Sequence, residues 1–292
     1  MAENRLIPSS VYAGSCIVLT TKHAKSIAIA PSFWDKLRAS VIEYVANTDE
    51  LGTFSGEVAR SGNALECVRR KCEWSLERFG NKIEFALASE GSFGHHPSIP
   101  FLPCDHEMLY FIDCRHDFHL YLSHVSKETN YRMELIDSLE NLNEFAKSTL
   151  FPSHALILRP NDRSTKHPIF KGINSQAALE EAFIECNKLA LKGKVWVETD
   201  MRAHLNPSRM KVIRELSENF SSRLATPCPS CAVPGWGAIG VEKGLICSGC
   251  GEKTILAKHE IYGCGRCVYQ EFHKPAHGLE EADPGNCQYC NP

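Results

Sequence analysis

The sequence predicts an α/β protein with a largely parallel mixed sheet flanked by helices, followed by a small C-terminal double zinc-ribbon domain. Apolar runs of strand length alternate with segments of helical apolar spacing, which is the pattern of a two-faced sheet with mostly parallel strands. Four C-x-x-C pairs are confined to the chain after Pro227, which indicates a separate metal-binding module. We therefore expect a catalytic or ligand-binding domain at residues 1–225 and a zinc domain at residues 226–292.

The strands are predicted from short apolar runs that end at turn-forming residues. Three of these runs, which start at Val41, Ile83 and Val195, lead into segments rich in Gly, Ser, Thr and acidic residues. Ligands of open α/β sheets bind where loops leave the carboxyl ends of strands, so we expect the three segments to meet at one acidic site. Further strands are expected at 15–19, at 154–159 and, as an antiparallel edge pair, at 108–113 and 118–125.

The helices are predicted from apolar residues that recur at three- and four-residue steps. The segment 63–80 ends at a glycine, the residue that most readily adopts the left-handed conformation after a helix. The segments 138–150 and 176–192 begin at or directly after a serine that suits a helix N-cap. A fourth helix is expected to begin at Asn206-Pro207.

Composition limits the class of protein. A hydrophobic content of 43% and a charged content of 23% are typical of a globular chain rather than a disordered one. No apolar run approaches the ~20 residues of a membrane helix, and the start M-A-E-N-R-L-I-P-S-S lacks the features of an export signal. Six cysteines are scattered outside the C-x-x-C pairs, which is typical of a reducing compartment, so we expect a cytoplasmic location.

The charge distribution disfavours nucleic acid as a partner. The formal net charge is −3, and the thiolates of two zinc sites would make the chain more negative. From Thr226 onward five Lys/Arg residues stand against seven Asp/Glu residues, whereas a ribbon that binds phosphates needs the opposite balance. We expect the tail to dock a protein partner or to stabilise the neighbouring domain, and we expect no membrane association.

The C-terminal cysteine pairs are predicted to bind two structural zinc ions. Each C-x-x-C step can form a tight turn that aims two sulfurs at one tetrahedral ion, and four thiolates leave no open coordination position. Three pairings of the four steps are possible, and we expect the sequential one because the first two steps, joined by a glycine-rich stretch, resemble a zinc ribbon. The predicted ligands are Cys228, Cys231, Cys247, Cys250, Cys264, Cys267, Cys287 and Cys290.

A basic turn follows the first strand. Thr20, Lys22 and Lys25 place a hydroxyl and two ammonium groups directly after buried apolar residues. Backbone amides and lysines at such a turn suit a polyphosphate, so we expect these three residues to bind substrate. A solvated basic turn would have the same composition.

Carboxylates follow two of the predicted strands. Asp49 and Glu57 come after the second strand, and Glu90 comes after the strand that starts at Ile83. Carboxylates with oxygen-rich neighbours hold Mg²⁺ or Mn²⁺, which bridge substrate phosphates and activate water. Glu57 and Glu90 are therefore candidates for catalysis, with Ser89 and Ser92 as substrate-binding residues. The alternative is that each carboxylate caps a turn.

A loop after the last predicted strand combines an acid, a histidine and two arginines. Asp200 and His204 are candidates for catalysis, His204 as a proton donor or acceptor. Arg202 and Arg209 would clamp a phosphate or carboxylate near a helix N-terminus, which itself attracts anions. The alternative is a structural histidine with two solvated arginines beside a helix cap.

Another group of potential metal ligands follows the Ile83 strand. The group lacks the i, i+4 pair of a helical metal site, so we predict a loop there rather than a metal centre. Its members are His95, His96, Cys104, Asp105, His106 and Glu107.

Several longer motifs are specific enough to compare with known families. They read T-K-H-A-K, T-D-E-L-G-T-F-S-G-E, A-S-E-G-S-F-G-H-H-P, F-P-S-H-A-L-I-L-R-P, E-T-D-M-R-A-H-L-N-P-S-R-M and, at the end, C-Q-Y-C-N-P. Together they cover nearly the whole chain and resemble an uncharacterised family, domain of unknown function 6671. The resemblance implies an N-terminal domain followed by a cysteine-rich tail, and it implies no particular activity.

The first hundred residues have a second similarity. The order of a turn with Lys25, a T-F dipeptide, a helix with Lys71 and a strand ending in S-E-G-S is similar to that of the house-cleaning nucleoside triphosphate pyrophosphatases. Their motifs are T-x-N-x-x-K, T-F-x-E-N-A-x-x-K-A and D-D-S-G-L. The similarity implies that Lys25 binds phosphate and that Glu57 and Glu90 hold metal. The chain departs from this pattern, because Lys22 replaces the asparagine, Glu57 is offset by one position, and one glutamate stands where two aspartates are expected.

These features predict a Mg²⁺-dependent hydrolase of a nucleotide-type phosphoanhydride. The rival hypothesis is a non-catalytic protein whose cleft senses an anionic metabolite and whose zinc tail docks a protein partner. A nuclease or nucleic-acid binder comes third because of the charge. The catalytic hypothesis requires residues far apart in the chain to line one cleft, namely Lys25, Glu57, Glu90, Asp200 and Arg202.

Overall fold

The computed structural model describes residues 10–191 and 193–292. Residues 1–9, on which the expectation about export rests, and Lys192, the last residue of a predicted helix, lie outside the described residues. The chain divides into two compact units: unit 1 contains the residues up to Arg115 and Tyr121–Ser221, and unit 2 contains His116–Leu120 and Ser222–Pro292. The mixed α/β class is confirmed. In the described part of the chain, no helix combines the length and apolarity needed to span a bilayer.

Unit 1 contains a five-stranded mixed sheet. Its spatial order is β2 (Ser40–Val45), β1 (Cys16–Thr21), β3 (Phe85–His96), β4 (Ile99–Asp113) and β5 (Phe118–Ser126), of which β5 belongs to unit 1 from Tyr121 onward. β1 runs parallel to β2 and β3, and β4 runs antiparallel to β3. Thr20 of β1 pairs with Ala88 of β3, so the carboxyl end of β1 lies beside the S-E-G-S segment.

β3 continues through the S-E-G-S segment, for which the sequence predicts a loop. Its pairing with β4 extends to His96 opposite Ile99, so the segment 104–107, also predicted as a loop, is strand as well. Both loop predictions are wrong because the two segments satisfy each other's backbone N–H and C=O groups in one long hairpin. Side chains alternate along a strand, so Ser89 and Glu90 point to opposite faces of the sheet.

α2 (Ala64–Phe79) covers one face of this sheet. The helix begins with a capping box, in which the Asn63 side chain accepts a hydrogen bond from the Glu66 backbone and the Glu66 side chain accepts one from the Asn63 backbone. Its Val68 and Cys72 side chains are fully buried in a cluster with residues of β3 and β4. The predicted helix over 63–80 is therefore present, and its apolar stripe faces the sheet as expected.

α1 (Ser26–Leu37) and α5 (Pro207–Leu224) lie together within unit 1. The hydroxyl oxygens of Ser32 and Ser217 are 2.6 Å apart, and the rings of Phe33 and Phe220 stack with centroids 6.3 Å apart. The apolar segment after the basic turn is thus the start of α1. The connections β1–α1–β2 and β2–α2–β3 both join parallel strands, and such connections are right-handed. Because the two connections run in opposite directions across the strand order β2-β1-β3, α1 and α2 lie on opposite faces of the sheet.

A second sheet of unit 1 is antiparallel throughout, with α3 (Leu139–Ser148) and α4 (Gln176–Leu189) packed on it. Its order is β6 (Met133–Ile136), β9 (Val195–Thr199), β7 (Leu156–Pro160) and β8 (Phe170–Ile173). Side chains from both helices and all four strands form one buried apolar cluster, which includes Leu142, Leu158, Phe183 and Val197.

The antiparallel arrangement differs from the sequence prediction, which places β7 and β9 in one largely parallel sheet. The difference is caused by β8, a four-residue strand that the sequence analysis misses. β8 runs antiparallel to β7 and so reverses the chain before α4 begins. After α4, the chain enters β9 at the other edge of β7, parallel to β8. β9 consequently runs antiparallel to β7.

A buried ion pair joins α5 to β4. Arg209 and Glu107 are withdrawn from solvent, and the Arg209 Nε donates a hydrogen bond to the Glu107 carboxylate at 2.5 Å. A Cβ at Gly91 of β3 would collide with both side chains, so the pair requires glycine at that position. Burial, followed by the neighbouring Glu107 charge, raises the pKa of Asp105 above its ordinary value.

We expect Glu107→Ala to lower the free energy of unfolding by about 3–5 kcal/mol, because the substitution leaves a buried guanidinium without a counter-charge. Urea unfolding of the zinc-loaded protein measures this loss. The matched control is Glu73→Ala, which removes a partly exposed carboxylate 2.9 Å from Arg69 on α2 and should change the same quantity by less than about 1 kcal/mol. Equal losses in the two variants would contradict the importance of the Arg209–Glu107 pair.

Unit 2 contains a three-stranded antiparallel sheet and two groups of four cysteines. The strands are β10 (Gly237–Lys243), β11 (Ala257–Gly263) and β12 (Gln270–His273). Trp236 is buried within unit 2, with its ring 5.5 Å from the ring of Tyr269 and 6.4 Å from that of Tyr262. Few other large apolar side chains are buried in unit 2, so we expect bound metal to contribute much of its folding free energy.

The first and third C-x-x-C pairs form one group, and the second and fourth form the other. The groups are Cys228, Cys231, Cys264 and Cys267, and Cys247, Cys250, Cys287 and Cys290; in each, the Sγ atoms lie within 4.8 Å of one another. The Sγ–Sγ distances across the groups are 3.6 and 3.8 Å. A tetrahedron with Zn–S bonds of ~2.3 Å has edges of about 3.8 Å. Both groups therefore fit a structural zinc ion with four thiolate ligands.

This interleaved order corrects the expected sequential pairing. β10 and β11 form a hairpin that pairs Gly237 with Gly263 and so brings the first and third cysteine pairs together at its open end. The second pair lies in the connection at the other end of the hairpin. There Cys247 forms a β-bridge with Ala282, which brings the last part of the chain, with the fourth pair, close to the second pair. Seven residues of strand separate the two ends by roughly 20 Å, so the first and second pairs cannot share an ion.

Double cysteine variants distinguish the two pairings by zinc content. We expect Cys231→Ser with Cys264→Ser to keep one zinc ion, because both changes fall in the same group, and Cys231→Ser with Cys250→Ser to keep none. Native mass spectrometry measures the number of bound ions. Sequential pairing requires the opposite result for each double variant, so one experiment decides between them.

Candidate functional site

A cleft of about 370 Å³ lies within unit 1, between the carboxyl end of β1, the middle of β3 and the loop that follows β9. The Thr48–Ser55 stretch after β2 and Ile157 of β7 also line it. Eight of the residues predicted to form a site line this cleft. They are Thr20, Lys22, Lys25, Ser89, Glu90, Ser92, Asp200 and Arg202. Segments far apart in the chain thus converge on one cavity.

Lys25 and Ser89 occupy the α1 side of the cleft. Lys25 directly precedes α1, its side chain is almost fully buried, and its Nζ lies 2.8 Å from the Ser89 Oγ. Burial, followed by the positive charge of Arg209, lowers the pKa of Lys25 to about 7. Thr20, also buried, has a hydroxyl oxygen with no hydrogen-bond partner among the described residues. A buried polar atom without a partner at a cavity wall is available to a ligand.

Glu90 occupies the α2 side of the cleft. Its carboxylate is paired with Lys71, which emerges from α2, and with Arg60, whose Nη2 lies 2.8 Å away. Arg60 also donates to the Ser92 hydroxyl at 2.8 Å. Burial alone would raise the pKa of Glu90, but the charges of Lys71, Lys25 and Arg60 outweigh burial and lower it. Glu90 is therefore ionised and held between two cations.

Asp200 positions Arg202 at the far wall of the cleft. The buried Asp200 carboxylate accepts hydrogen bonds from the Arg202 side chain at 2.6 and 3.0 Å and from the backbone N–H groups of Arg202 and Gly172 at 3.1 Å. Four such bonds leave Asp200 little freedom to act as a base. The sequence analysis predicts a catalytic role for Asp200, and these contacts would also allow it to orient Arg202.

Three predicted site residues do not line the cleft. Arg209, expected to clamp substrate, is entirely buried against Glu107, because its side chain turns into the sheet face covered by α5. Glu57 is partly exposed and pairs with Lys171, a residue that does line the cleft. His204 is exposed, and its ring stacks on His23 with centroids 5.1 Å apart. Glu57 and His204 therefore approach the site only through these neighbours.

His23 is a cleft residue to which the sequence analysis assigns no role. Burial, then the charges of Lys25, His204 and Arg209, lowers the pKa of His23 to about 3, so its imidazole is neutral at physiological pH. Its Nε2 lies 4.0 Å from the Asp49 carboxylate, which also pairs with Lys22. Its position in the T-K-H-A-K turn is the signal that could have identified it.

The sequence analysis also misses an aromatic wall of the cleft, which is formed by Phe54, Phe93 and Tyr131. The rings of Phe54 and Phe93 have centroids 5.3 Å apart, and those of Phe93 and Tyr131 lie 5.8 Å apart. All three line the cleft. A planar apolar group can pack against such rings.

Cationic side chains outnumber carboxylates in the cleft. The cations are Lys22, Lys25, Arg60, Lys71, Arg163, Lys171 and Arg202, and the carboxylates are Asp49, Glu90, Glu198 and Asp200. Each of these four carboxylates already contacts a lysine or arginine. Over residues 10–191 and 193–292, the two cysteine groups are the sets of three or more metal-ligating side chains that could hold an ion. The donor chemistry of the cleft therefore fits an anion better than a resident Mg²⁺.

No curated protein and no solved structure matches the chain. A family model described as a domain of unknown function matches residues 71–292, which is well over half of the chain and includes both cysteine groups. The resemblance inferred from the motifs is thus confirmed, and the chain belongs to the DUF6671 family.

Proposed function

We propose that unit 1 binds a small phosphate-bearing anion of the nucleotide type in this cleft and hydrolyses its phosphoanhydride bond. The observation that carries the proposal is the surplus of lysine and arginine side chains over carboxylates around one cleft. Closely spaced cations in a site of low dielectric stabilise a polyphosphate far more than the same charges do in water. A volume of about 370 Å³ lies within the range of small-molecule sites.

The arrangement of the lining supports a bipartite ligand. Arg202, oriented by Asp200, offers a planar guanidinium that suits bidentate contact with phosphate. Lys22 and Lys71 supply point charges, and the unpartnered Thr20 hydroxyl offers a hydrogen bond. The aromatic wall would pack against the flat base of a nucleotide.

The proposed reaction assigns no Mg²⁺ or Mn²⁺ site to the protein itself. The carboxylates expected to hold such an ion, Glu57 and Glu90, are engaged by Lys171 and by Lys71 with Arg60. A divalent cation would instead reach the cleft already bound to the phosphate chain, as part of the substrate. The neutral His23 imidazole lines the cleft and can form a hydrogen bond with the ligand.

A non-catalytic sensor is the second candidate. The observation that favours it is that every carboxylate in the cleft is neutralised by a cation, which suits binding more than acid–base chemistry. The zinc unit would then dock a protein partner, since Val268 and Phe272 of unit 2 are 98% and 60% exposed. Nucleic acid remains a poor partner because the tail has more acidic than basic residues.

We also propose a cytoplasmic location. The cysteines outside the two groups form no disulfide among the described residues, and two four-thiolate sites require reduced thiols. This proposal predicts that mild oxidants release zinc from the purified protein.

A nucleotide panel tests the proposed function. The zinc-loaded protein, incubated with Mg²⁺ or Mn²⁺ and nucleoside di- and triphosphates, should release phosphate or pyrophosphate, measured by ion chromatography. Turnover supports the hydrolase. A ligand-induced rise in melting temperature without turnover supports the sensor instead, and the absence of both effects across the panel contradicts both candidates.

Arg202→Ala should weaken binding of the active nucleotide by about 10- to 150-fold, because a charged hydrogen bond contributes roughly 1.5–3 kcal/mol. Isothermal titration calorimetry measures the dissociation constant. The matched control is Arg78→Ala, which removes an exposed arginine of α2 that lies outside the cleft and should leave the constant unchanged. Similar losses in both variants would indicate a general electrostatic effect and contradict the assigned contact.

A further inference from the structure

We infer that Ser89 and Lys25 form a nucleophile–base pair in the cleft, with Ser89 as the attacking group and Lys25 as the acceptor of its proton. The assignment of Ser89 rests on contacts within unit 1. The identity of the bond it attacks rests on the proposed function.

The two reactive atoms are held by regular structure. Ser89 lies in the middle of β3, and Lys25 directly precedes α1, so their backbones have little freedom. The Lys25 Nζ and the Ser89 Oγ are 2.8 Å apart, which is the distance of a direct hydrogen bond. The side chains are 5% and 3% exposed, and both line the cleft. The pair is thus shielded from bulk water but open to a bound ligand.

Lys25 has no carboxylate within ion-pair distance among the described residues. The other buried lysine of the cleft, Lys71, is paired with Glu90 on the opposite face of β3. This contrast separates their roles, because a buried ammonium without a carboxylate partner loses its proton readily. Lys71 is held in an ion pair with Glu90, and Lys25 is the lysine that can act as a base.

Titratable groups on every neighbouring element surround Lys25. They are Arg209 of α5, Glu107 and Asp105 of β4, Lys71 of α2, Glu90 of β3 and the neutral His23. Burial and the charges of Arg209 and Lys71 favour the neutral amine, while Glu107 and Glu90 oppose them, and the pKa of Lys25 falls to about 7. A substantial fraction of the amine is unprotonated at neutral pH and can accept the Ser89 hydroxyl proton.

The reaction has two balanced steps. The Ser89 Oγ forms a bond to the terminal phosphorus, the anhydride P–O bond breaks with its electron pair leaving on the departing phosphate, and the hydroxyl proton passes to the Lys25 Nζ. Water then forms a bond to the same phosphorus, and the Oγ–P bond breaks. Lys25 returns its proton to the Oγ, and the proton lost by water goes to solvent. The intermediate is a phosphoserine at position 89.

A fluorophosphonate probe tests the pair without any substrate. Its phosphorus forms a bond to an activated serine oxygen as the P–F bond breaks and fluoride leaves. We expect the full-length, zinc-loaded protein to be labelled at Ser89, as identified by peptide mass spectrometry, and Ser89→Ala to lose this label. Ser98→Ala, which changes an exposed serine after β3, should be labelled like the wild type. An unlabelled Ser89 in the folded wild-type protein overturns the assignment.

Lys25 variants separate a base from a structural cation. Lys25→Met and Lys25→Arg should each slow the labelling of Ser89 by at least about 10²-fold, because neither side chain can accept a proton at neutral pH. Lys36→Met, which changes an exposed lysine of α1, should have no effect. If Lys25→Arg labels at the wild-type rate, the lysine only holds Ser89 in place and the inference is wrong. Zinc content and thermal unfolding establish that each variant is folded.

The pH dependence of Ser89 labelling in the wild-type protein tests the role of Lys25 without any substitution. The base form of Lys25 is the deprotonated one, so the labelling rate of Ser89 should rise as the pH increases through about 7 and then level off. A rate that is flat between pH 6 and 8 would overturn the role of Lys25.

Labelling without nucleotide turnover would support the pair but contradict the proposed hydrolase. Nucleotide turnover by Ser89→Ala at the wild-type rate would support the hydrolase but contradict the pair.

Discussion

Arg209 and Glu107 are both withdrawn from water, and an unpaired charge at either position would destabilise unit 1 by several kcal/mol. This pair links the first turn of α5 to β4 and requires a residue without a side chain at Gly91. The guanidinium also acts on Lys25 across the same face of the sheet and favours its neutral form. One buried ion pair thus affects both the packing beneath the cleft and the protonation of a lysine that lines it.

The alternation of side chains along β3 gives the cleft two chemically different sides. Ser89 meets the lysine before α1, and Glu90 meets the lysine of α2. If the S-E-G-S segment were the loop that the sequence predicts, its side chains would not be directed to opposite faces. The pairing with β4 therefore does more than extend the sheet, because it separates the Lys25–Ser89 hydrogen bond from the Lys71–Glu90 ion pair.

Much of the fold is predictable because apolar periodicity and helix caps are local signals. The helices that begin near Asn63, Ser138, Ser175 and Asn206 were expected within a few residues of their observed bounds. The short strand β8 has no such signal, since four residues carry too little periodicity to distinguish a strand from a loop. Missing that one reversal changes the expected direction of β9 relative to β7. For the site, residue type and position at strand ends identified eight lining residues, but could not distinguish Arg202, which faces the cleft, from Arg209, which faces the core.

The interleaved order of the cysteine pairs has a consequence for how unit 2 acquires its metal. Each zinc ion closes a loop of chain that contains a ligand pair of the other ion. Binding of the first ion therefore removes part of the conformational entropy that the second would have to overcome. We therefore expect cooperative uptake, so that protein given too little zinc would be a mixture of empty and doubly loaded molecules with few singly loaded ones. When zinc is scarce, a molecule that is short of metal would then lack both ions rather than one of them.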